Sequence, residues 1–332
     1  MIAQRLQNRR LMTAARALDY GKGESTLPAD RVELDSEQER LKVWLAAFLA
    51  RPGIELPRPP AVALDILALS RKPTAKIEDL AALLEREPLL AGRVLRLANS
   101  ALYGSSAPCV TLKQALIRMG LALVRDVVME AAMQMTVIHA EGFNGTLESI
   151  RRHSSAVAWI SRFVARHTPL EAENAFMLGL LHDVGMSVSL IGVSEYFKRQ
   201  RLPLRLSPES WFAVESMHER FSEAVLKSWG LPPTVTLVAQ HHHSLMLGGV
   251  AHPQVAVLML AEQIAADFGW DIKPVVEATE GSTPIVSGCE CSVIDQTDAA
   301  LDALSLTRKN FEAISADMKR VLDTLESQFQ KK

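Results

Sequence analysis

The chain has 332 residues, 48% hydrophobic and 22% charged, with a formal net charge of −2 at pH 7. That is enough apolar sequence for a sizeable core, as one large domain or two smaller ones. The near-neutral balance leaves no electrostatic footprint for nucleic acid or for an anionic membrane.

Helical periodicity dominates and strand signals are scarce, so the chain reads as all-α. A first helix over residues 2–19 is polar and basic, without the apolar run of a secretory signal. Its Arg5, Arg9, Arg10 and Arg16 read as a solvated or packing face. After the break "DYGKGESTLPAD", the helix "SEQERLKVWLAAFLA" starts at Ser36, an N-cap followed by acidic residues. Four prolines and a glycine in "RPGIELPRPPAV", residues 51–62, mark a boundary or rigid linker. Helices are then expected near 60–70, 76–86, 88–101, 111–119, 121–139, 147–167, 171–184, 208–229, 233–247 and 253–268. Thr111 and Gln114 have the spacing of a capping box. In "RVLRLANSALYG" a single glycine makes no phosphate loop; Asn99 and Ser100 read as helix-end residues and Gly104 as the stop.

The apolar stretch 175–193 is interrupted by His182 and Asp183 and lacks the unbroken span of a membrane helix. Cys109, Cys289 and Cys291 form neither a disulfide framework nor a zinc ribbon, so a soluble, cytoplasmic protein with free thiols is expected. Residues 277–298 are small and polar and read as a loop. A last amphipathic helix carries Phe311, Ile314, Met318, Val321 and Leu325 in one stripe, which packs on the domain or pairs with a partner helix.

Nine histidines are present, and their helical positions matter more than their number. His153 shares an apolar face with Val157, Ile160 and Val164; His182 with Ala175 and Leu178; His218 with Trp211, Val214, Phe221 and Val225. His242 lies with Val235, Val238 and Leu245, and Glu262 with Val255, Leu258 and Ala265. Five helices thus each aim one metal-capable group at a face that should be buried, and Asp183 adds a carboxylate beside His182. A buried carboxylate must be paired, coordinated or protonated. One divalent cation (zinc, iron, manganese or nickel) would satisfy the set. The plainer alternative, a hydrogen-bonded core histidine, suits His139, His167 and His252. In "HHH" at 241–243 consecutive helical positions diverge by about 100 degrees, so at least one ring must face solvent.

These segments resemble a known family. "ELPRPPAVALDILAL", "LLEREPLLAGRVLRLANSALYGSS" and "TLKQALIRMGLALVRDVVM" are similar to the first half of the HDOD domain, a relative of the HD and HD-GYP phosphohydrolases. "HSSAVAWISRFVA", "AENAFMLGLLHDVGMSVSL" and "SWGLPPTVTLVAQHHHS" resemble its second half. The resemblance implies an N-terminal helical extension over 1–53, an HDOD domain over 54–268 built as an HD-like bundle with an N-terminal helical subdomain, and a loop plus amphipathic helix over 269–332.

It also implies a bacterial signalling module acting through protein contacts with other signalling proteins. Many members have lost the HD ligands, but here His153, His182 and Asp183 match the pattern, and Glu262 stands at the last position in place of aspartate. His218, His242 and one of His243 or His241 are similar to the further histidines of HD-GYP relatives. Met186 stands where those enzymes carry the lysine of HDxGK, and no GYP segment lies between His243 and Glu262. The alternative is a metal-dependent phosphohydrolase acting on a phosphomonoester or cyclic nucleotide. In that case Asp183 bridges two cations, His153, His182 and Glu262 complete the first site, and His218 and His242 serve the second. Arg151 or Arg152 would then clamp phosphate, unless each is simply solvated.

Overall fold

A computed structural model describes residues 36–58, 61–70, 72, 76–100, 107–135, 138–275 and 296–329. The helix expected over 2–19 and the loop over 277–295 lie outside these residues.

Among the described residues the chain is all-α apart from one small hairpin. Helix α1 (Glu37–Leu49) starts where its cap requires: the Ser36 hydroxyl accepts the Glu39 N–H at 3.2 Å. Five helices form the first half: α2 (Ala61–Ser70), α3 (Ile77–Glu85), α4 (Pro88–Ala98), α5 (Leu112–Met119) and α6 (Leu121–Met135). The capping box of α5 is present, with Gln114 N–H on Thr111 Oγ1 and Thr111 N–H on Gln114 Oε1, both at 3.2 Å. Asn99 caps α4 and clips the following loop, bonding the Cys109 N–H at 2.7 Å and the Cys109 carbonyl at 2.9 Å.

The second half comprises α7 (Asn144–Ala165), α8 (Ala172–Leu181), α9 (Val184–Gln200), α10 (Pro208–Ser228), α11 (Pro233–Gln240), the antiparallel strands β1 (Met246–Leu247) and β2 (Val250–Ala251), and α12 (Pro253–Asp267). Helices α13 (Thr297–Ala303) and α14 (Arg308–Phe329) close the chain. α7 packs on α8 and α12, and α9 on α10. α1 rests on α9 and α10, where Trp44 Nε1–H donates to the Gly192 carbonyl at 2.8 Å and Arg51 pairs with Glu195 at 3.0 Å. The apolar stripe of α14, with Phe311, Ile314, Met318, Val321 and Leu325, is buried in the same core. Packing on the protein's own helices accounts for that stripe.

A buried polar seam joins the two halves. Asp126, Glu130 and Gln134 succeed one another at four-residue intervals on α6 and meet Arg162, Trp159 and Ser155 of α7. Arg162 pairs with Asp126, Trp159 Nε1–H donates to Glu130 at 3.1 Å, and Gln134 bonds Ser155 Oγ at 3.0 Å. Burial pushes the Glu130 carboxyl above its ordinary value despite nearby Arg93.

Three local expectations change. The HD dyad lies between two helices rather than inside one: α8 ends at Leu181, and Asp183 is the N-cap of α9, a helix absent from the expected series. The helix expected to 247 stops at Gln240, and Met246–Ala251 is a hairpin. The loop expected to run to 298 yields to α13 at Thr297. Among the described residues one stretch, Asn174–Gln200, is apolar and long enough to cross a membrane, and 89% of its apolar 18-residue window is buried inside the protein.

Candidate metal centre

The dyad sits at a junction clamped from both sides. Gly179 on α8 faces the Ala158 backbone of α7, where an added Cβ would come within 2.7 Å of Ala158 Cα. Gly185 on α9 faces α10 more closely still, 2.1 Å from the His218 carbonyl for the same Cβ. The two close approaches bring α7, α8, α9 and α10 together around Asp183.

All six candidate ligands converge there. His182 Nε2 lies 3.1 Å and His153 Nε2 3.8 Å from Asp183 Oδ2. On the other oxygen, His242 Nε2 lies 3.4 Å and His218 Nε2 3.5 Å from Asp183 Oδ1. Glu262 Oε1 is 3.4 Å from His182 Nε2. His243, left open against His241 by the sequence, also enters the cluster, with its Nε2 3.2 Å from His218 Nε2. His218 and His242 face each other at 3.3 Å. Three overlapping triads result, each with ligand atoms within 4.8 Å of one another: His153, His182 and Asp183; His182, His242 and Glu262; His218, His242 and His243. His241 belongs to none of them.

The tautomers are set from outside the cluster. A carbonyl can only accept, so each Nδ1 bonded to one must carry the proton. His182 donates to Gly179 O at 2.9 Å, His242 to Ala239 O at 2.8 Å, His153 to Trp270 O at 2.8 Å, and His218 to Glu215 O. Each Nε2 therefore faces the centre, the arrangement in which outer carbonyls orient metal-binding imidazoles. His182 Nε2 and Asp183 Oδ1 are buried without a hydrogen-bond partner. Buried polar atoms in that condition call for a bound ion or water. Imidazoles with carboxylates and no thiolate suit zinc, iron, manganese or nickel, so the residues fit a divalent metal.

Electrostatics divide the histidines into two classes. Burial, reinforced by the charge of His182, lowers His153 to about 4, and burial lowers His218 to about 4. Burial and the neighbouring His242 lower His243 to about 2. Against the cost of burial, the Asp183 carboxylate raises His182, and raises His242 to about 10. Asp183 itself is held well below the ordinary carboxylate range, its desolvation outweighed by His182. Burial raises Glu262 and Glu219.

These directions predict a stability optimum for the metal-free protein. His153 and His218 titrate near 4 when folded against 6.5 as reference, so the unfolded chain binds protons first and stability falls between about pH 6.5 and 4. His242 acts oppositely: its contribution is complete below 6.5 and is lost as pH rises through about 10. Urea midpoints in excess chelator should peak near about pH 6.5 and decline on both sides. Bound metal should flatten the alkaline limb, because it replaces the Nε2 protons.

The two candidate phosphate clamps are occupied elsewhere. Arg151 pairs with Glu148 at 2.8 Å. Arg152 pairs with Glu326 at 2.9 Å, donates to Gly269 O at 3.1 Å and stacks 3.8 Å from the Trp270 ring. Met186 is buried, so the lysine position of HDxGK holds an apolar core residue.

The structure is thus a helical bundle with an HD dyad at a buried helix junction. The sequence matches the HDOD domain family over residues 56–245, and the chain belongs to that family. A candidate metal-dependent phosphohydrolase from Shewanella amazonensis SB2B is similar, with a TM-score of 0.57 and 20% identity, over 85% of this chain and 99% of that one. An HDOD domain protein of unknown function from Geobacter sulfurreducens gives a TM-score of 0.58 and 21% identity, over 88% and 98%. A candidate signal transduction protein from Marinobacter aquaeolei VT8 gives 0.57 and 20%, over 89% and 66%. An uncharacterized protein of Treponema pallidum (strain Nichols) is 22% identical over 210 residues, and the match spans 40% of its length.

Proposed function

We propose that the protein is a cytoplasmic signal-transduction module of the HDOD type that holds a divalent metal and works by contact with other signalling proteins. The metal ligands in this reading are His153, His182, Asp183, His218, His242 and Glu262, joined by His243. The observation that carries it is a full donor set whose expected phosphate-handling positions are taken up otherwise: Met186 is buried core, and Arg151 and Arg152 are both engaged. A ligand set so closed, with His182 and His242 fully buried, serves as a structural or regulatory centre. His153, His182, His218 and His242 hold Nε2 toward the centre, Asp183 supplies the charge, and Glu262 reaches solvent at the edge, its side chain 22% exposed.

One observation favours hydrolysis. The two oxygens of Asp183 face different histidine pairs, Oδ2 toward His182 and His153 and Oδ1 toward His218 and His242, as a bridge between two cations would require. Metal held there would supply a water of lowered pKa and polarise a phosphoryl oxygen. The substrate would be a phosphomonoester or a cyclic nucleotide.

Elemental analysis of protein purified without a metal-affinity tag tests the metal. Less than about a tenth of an equivalent, with none regained on soaking, sinks the centre. A screen of phosphomonoesters and cyclic nucleotides then separates the two readings. The signalling module predicts bound metal and no turnover; turnover abolished by Asp183→Ala would establish the hydrolase.

A further inference from the structure

The four histidines around Asp183 are not held in the same way. His182, His218 and His242 each donate Nδ1–H to a carbonyl three residues earlier in the chain. His153 donates instead to the carbonyl of Trp270, 117 residues further on, in the segment that follows α12. Its orientation depends on how that segment is placed.

The segment is pinned along α7. Lys273 N–H bonds Ser149 Oγ at 2.7 Å and Val275 N–H bonds Thr146 Oγ1 at 3.0 Å. Upstream the pin is Arg152, whose Nη1 donates to Gly269 O at 3.1 Å while its guanidinium lies 3.8 Å from the Trp270 ring centre. Arg152 is held in turn by Glu326 of α14, which accepts from Nε at 3.2 Å and from Nη2 at 2.9 Å. That two-pronged grip leaves Nη1 aimed at Gly269, the geometry for which a guanidinium fork is suited and an ammonium is not.

We infer that the C-terminal helix α14 controls the presentation of His153 to the metal centre, with Glu326 and Arg152 acting as positioning residues. α14 lies outside the span matched to the HDOD family, residues 56–245. Lifting α14 frees Arg152, so the Gly269 carbonyl loses its guanidinium donor and the Trp270 ring its stacked cation, and the Trp270 carbonyl that braces the Nδ1–H tautomer of His153 is loosened. The other three histidines keep theirs. The inference rests on the metal reading for its consequence, though not for the brace itself.

The test uses full-length protein with Glu326→Gln and Arg152→Lys. Glu326 has a side chain 38% exposed, so its variant should fold, and Arg151→Gln serves as the neighbouring control. Two measurements are made: Co2+ titration of chelator-stripped protein, and imidazole ring 15N shifts of the metal-free protein. Expected is a Co2+ equivalent weakened about tenfold or more, the range for loss of an outer-shell partner, with the remaining uptake unchanged. The His153 ring should move from one tautomer toward an exchange average while His182, His218 and His242 stay put. Unchanged His153 shifts in both variants, or equal shifts in all four rings, would overturn the inference. A selective His153 shift with no Co2+ uptake by the wild type would sink the metal reading and leave the brace standing.

Discussion

Asp183→Ala should empty the centre. Each triad around Asp183 shares a ligand or a direct contact with it, so one substitution reaches them all. In the proposed metal reading, loss of a direct ligand exceeds the loss of an outer-shell partner, so metal affinity should fall by more than about 100-fold. Elemental analysis should then find about a tenth of an equivalent or less. Removing one member of a buried charge pair costs about 3–5 kcal/mol when the other charge stays behind. The histidines can shed their protons, so the metal-free variant should lose less than that at pH 7. Its pH profile should change shape: without the carboxylate, His182 and His242 lose the largest interaction that raises them, Glu262 still acting on both, and the alkaline decline should shrink. Asp183→Asn should behave likewise while preserving volume. Retention of metal by either variant, at wild-type stoichiometry, would show that Asp183 is not the hub.

Gly185→Ala should be the most damaging glycine-to-alanine change among the described residues. The added Cβ would fall 2.1 Å from the His218 carbonyl oxygen and 2.3 Å from Ser222 N, both backbone atoms of α10. No flexible side chain can yield, so α9 and α10 must separate. Overpacking costs about 1–3 kcal/mol in cores that can adjust, and a backbone clash belongs at or beyond the top of that range. Ser222 makes the junction stricter, because its hydroxyl accepts Gly185 N–H at 2.9 Å and donates to His182 O at 2.7 Å. Separation would therefore move His182, Asp183 and His218 relative to one another. A drop in the urea midpoint with parallel loss of metal is expected. A variant as stable as wild type would mean that the two helices sit further apart than described.

The sequence exposed much of this cluster because burial and chemistry conflicted openly. His153, His182, His218, His242 and Glu262 each interrupted an apolar helical stripe, and such interruptions survive in any register. The dyad itself was harder to place. "LLHDVGM" continues the apolar run on both sides, so periodicity carried the helix through His182 and Asp183, where the backbone instead ends one helix and begins another. The choice between His243 and His241 stayed open for a related reason. Helical geometry sets adjacent rings about 100 degrees apart, but α11 stops at Gln240 and the next residues are free to bring both His242 and His243 inward. The role of Arg152 had no local signal. Its partners are Gly269, Trp270 and Glu326, all more than a hundred residues away, and pairings at that distance leave no periodic trace. Asp126 and Arg162, on separate helices, escaped for the same reason.

The seam between α6 and α7 limits how the two halves can move. Arg162–Asp126, Trp159–Glu130 and Gln134–Ser155 lie at successive turns along the same pair of helices. A slide of α6 by one turn would exchange partners along the seam and break the buried Arg162–Asp126 pair, at a cost of about 3–5 kcal/mol. The contacts thus favour one register. Turning α6 and α7 together as a block keeps every contact of the seam, whereas sliding one along the other breaks the ion pair.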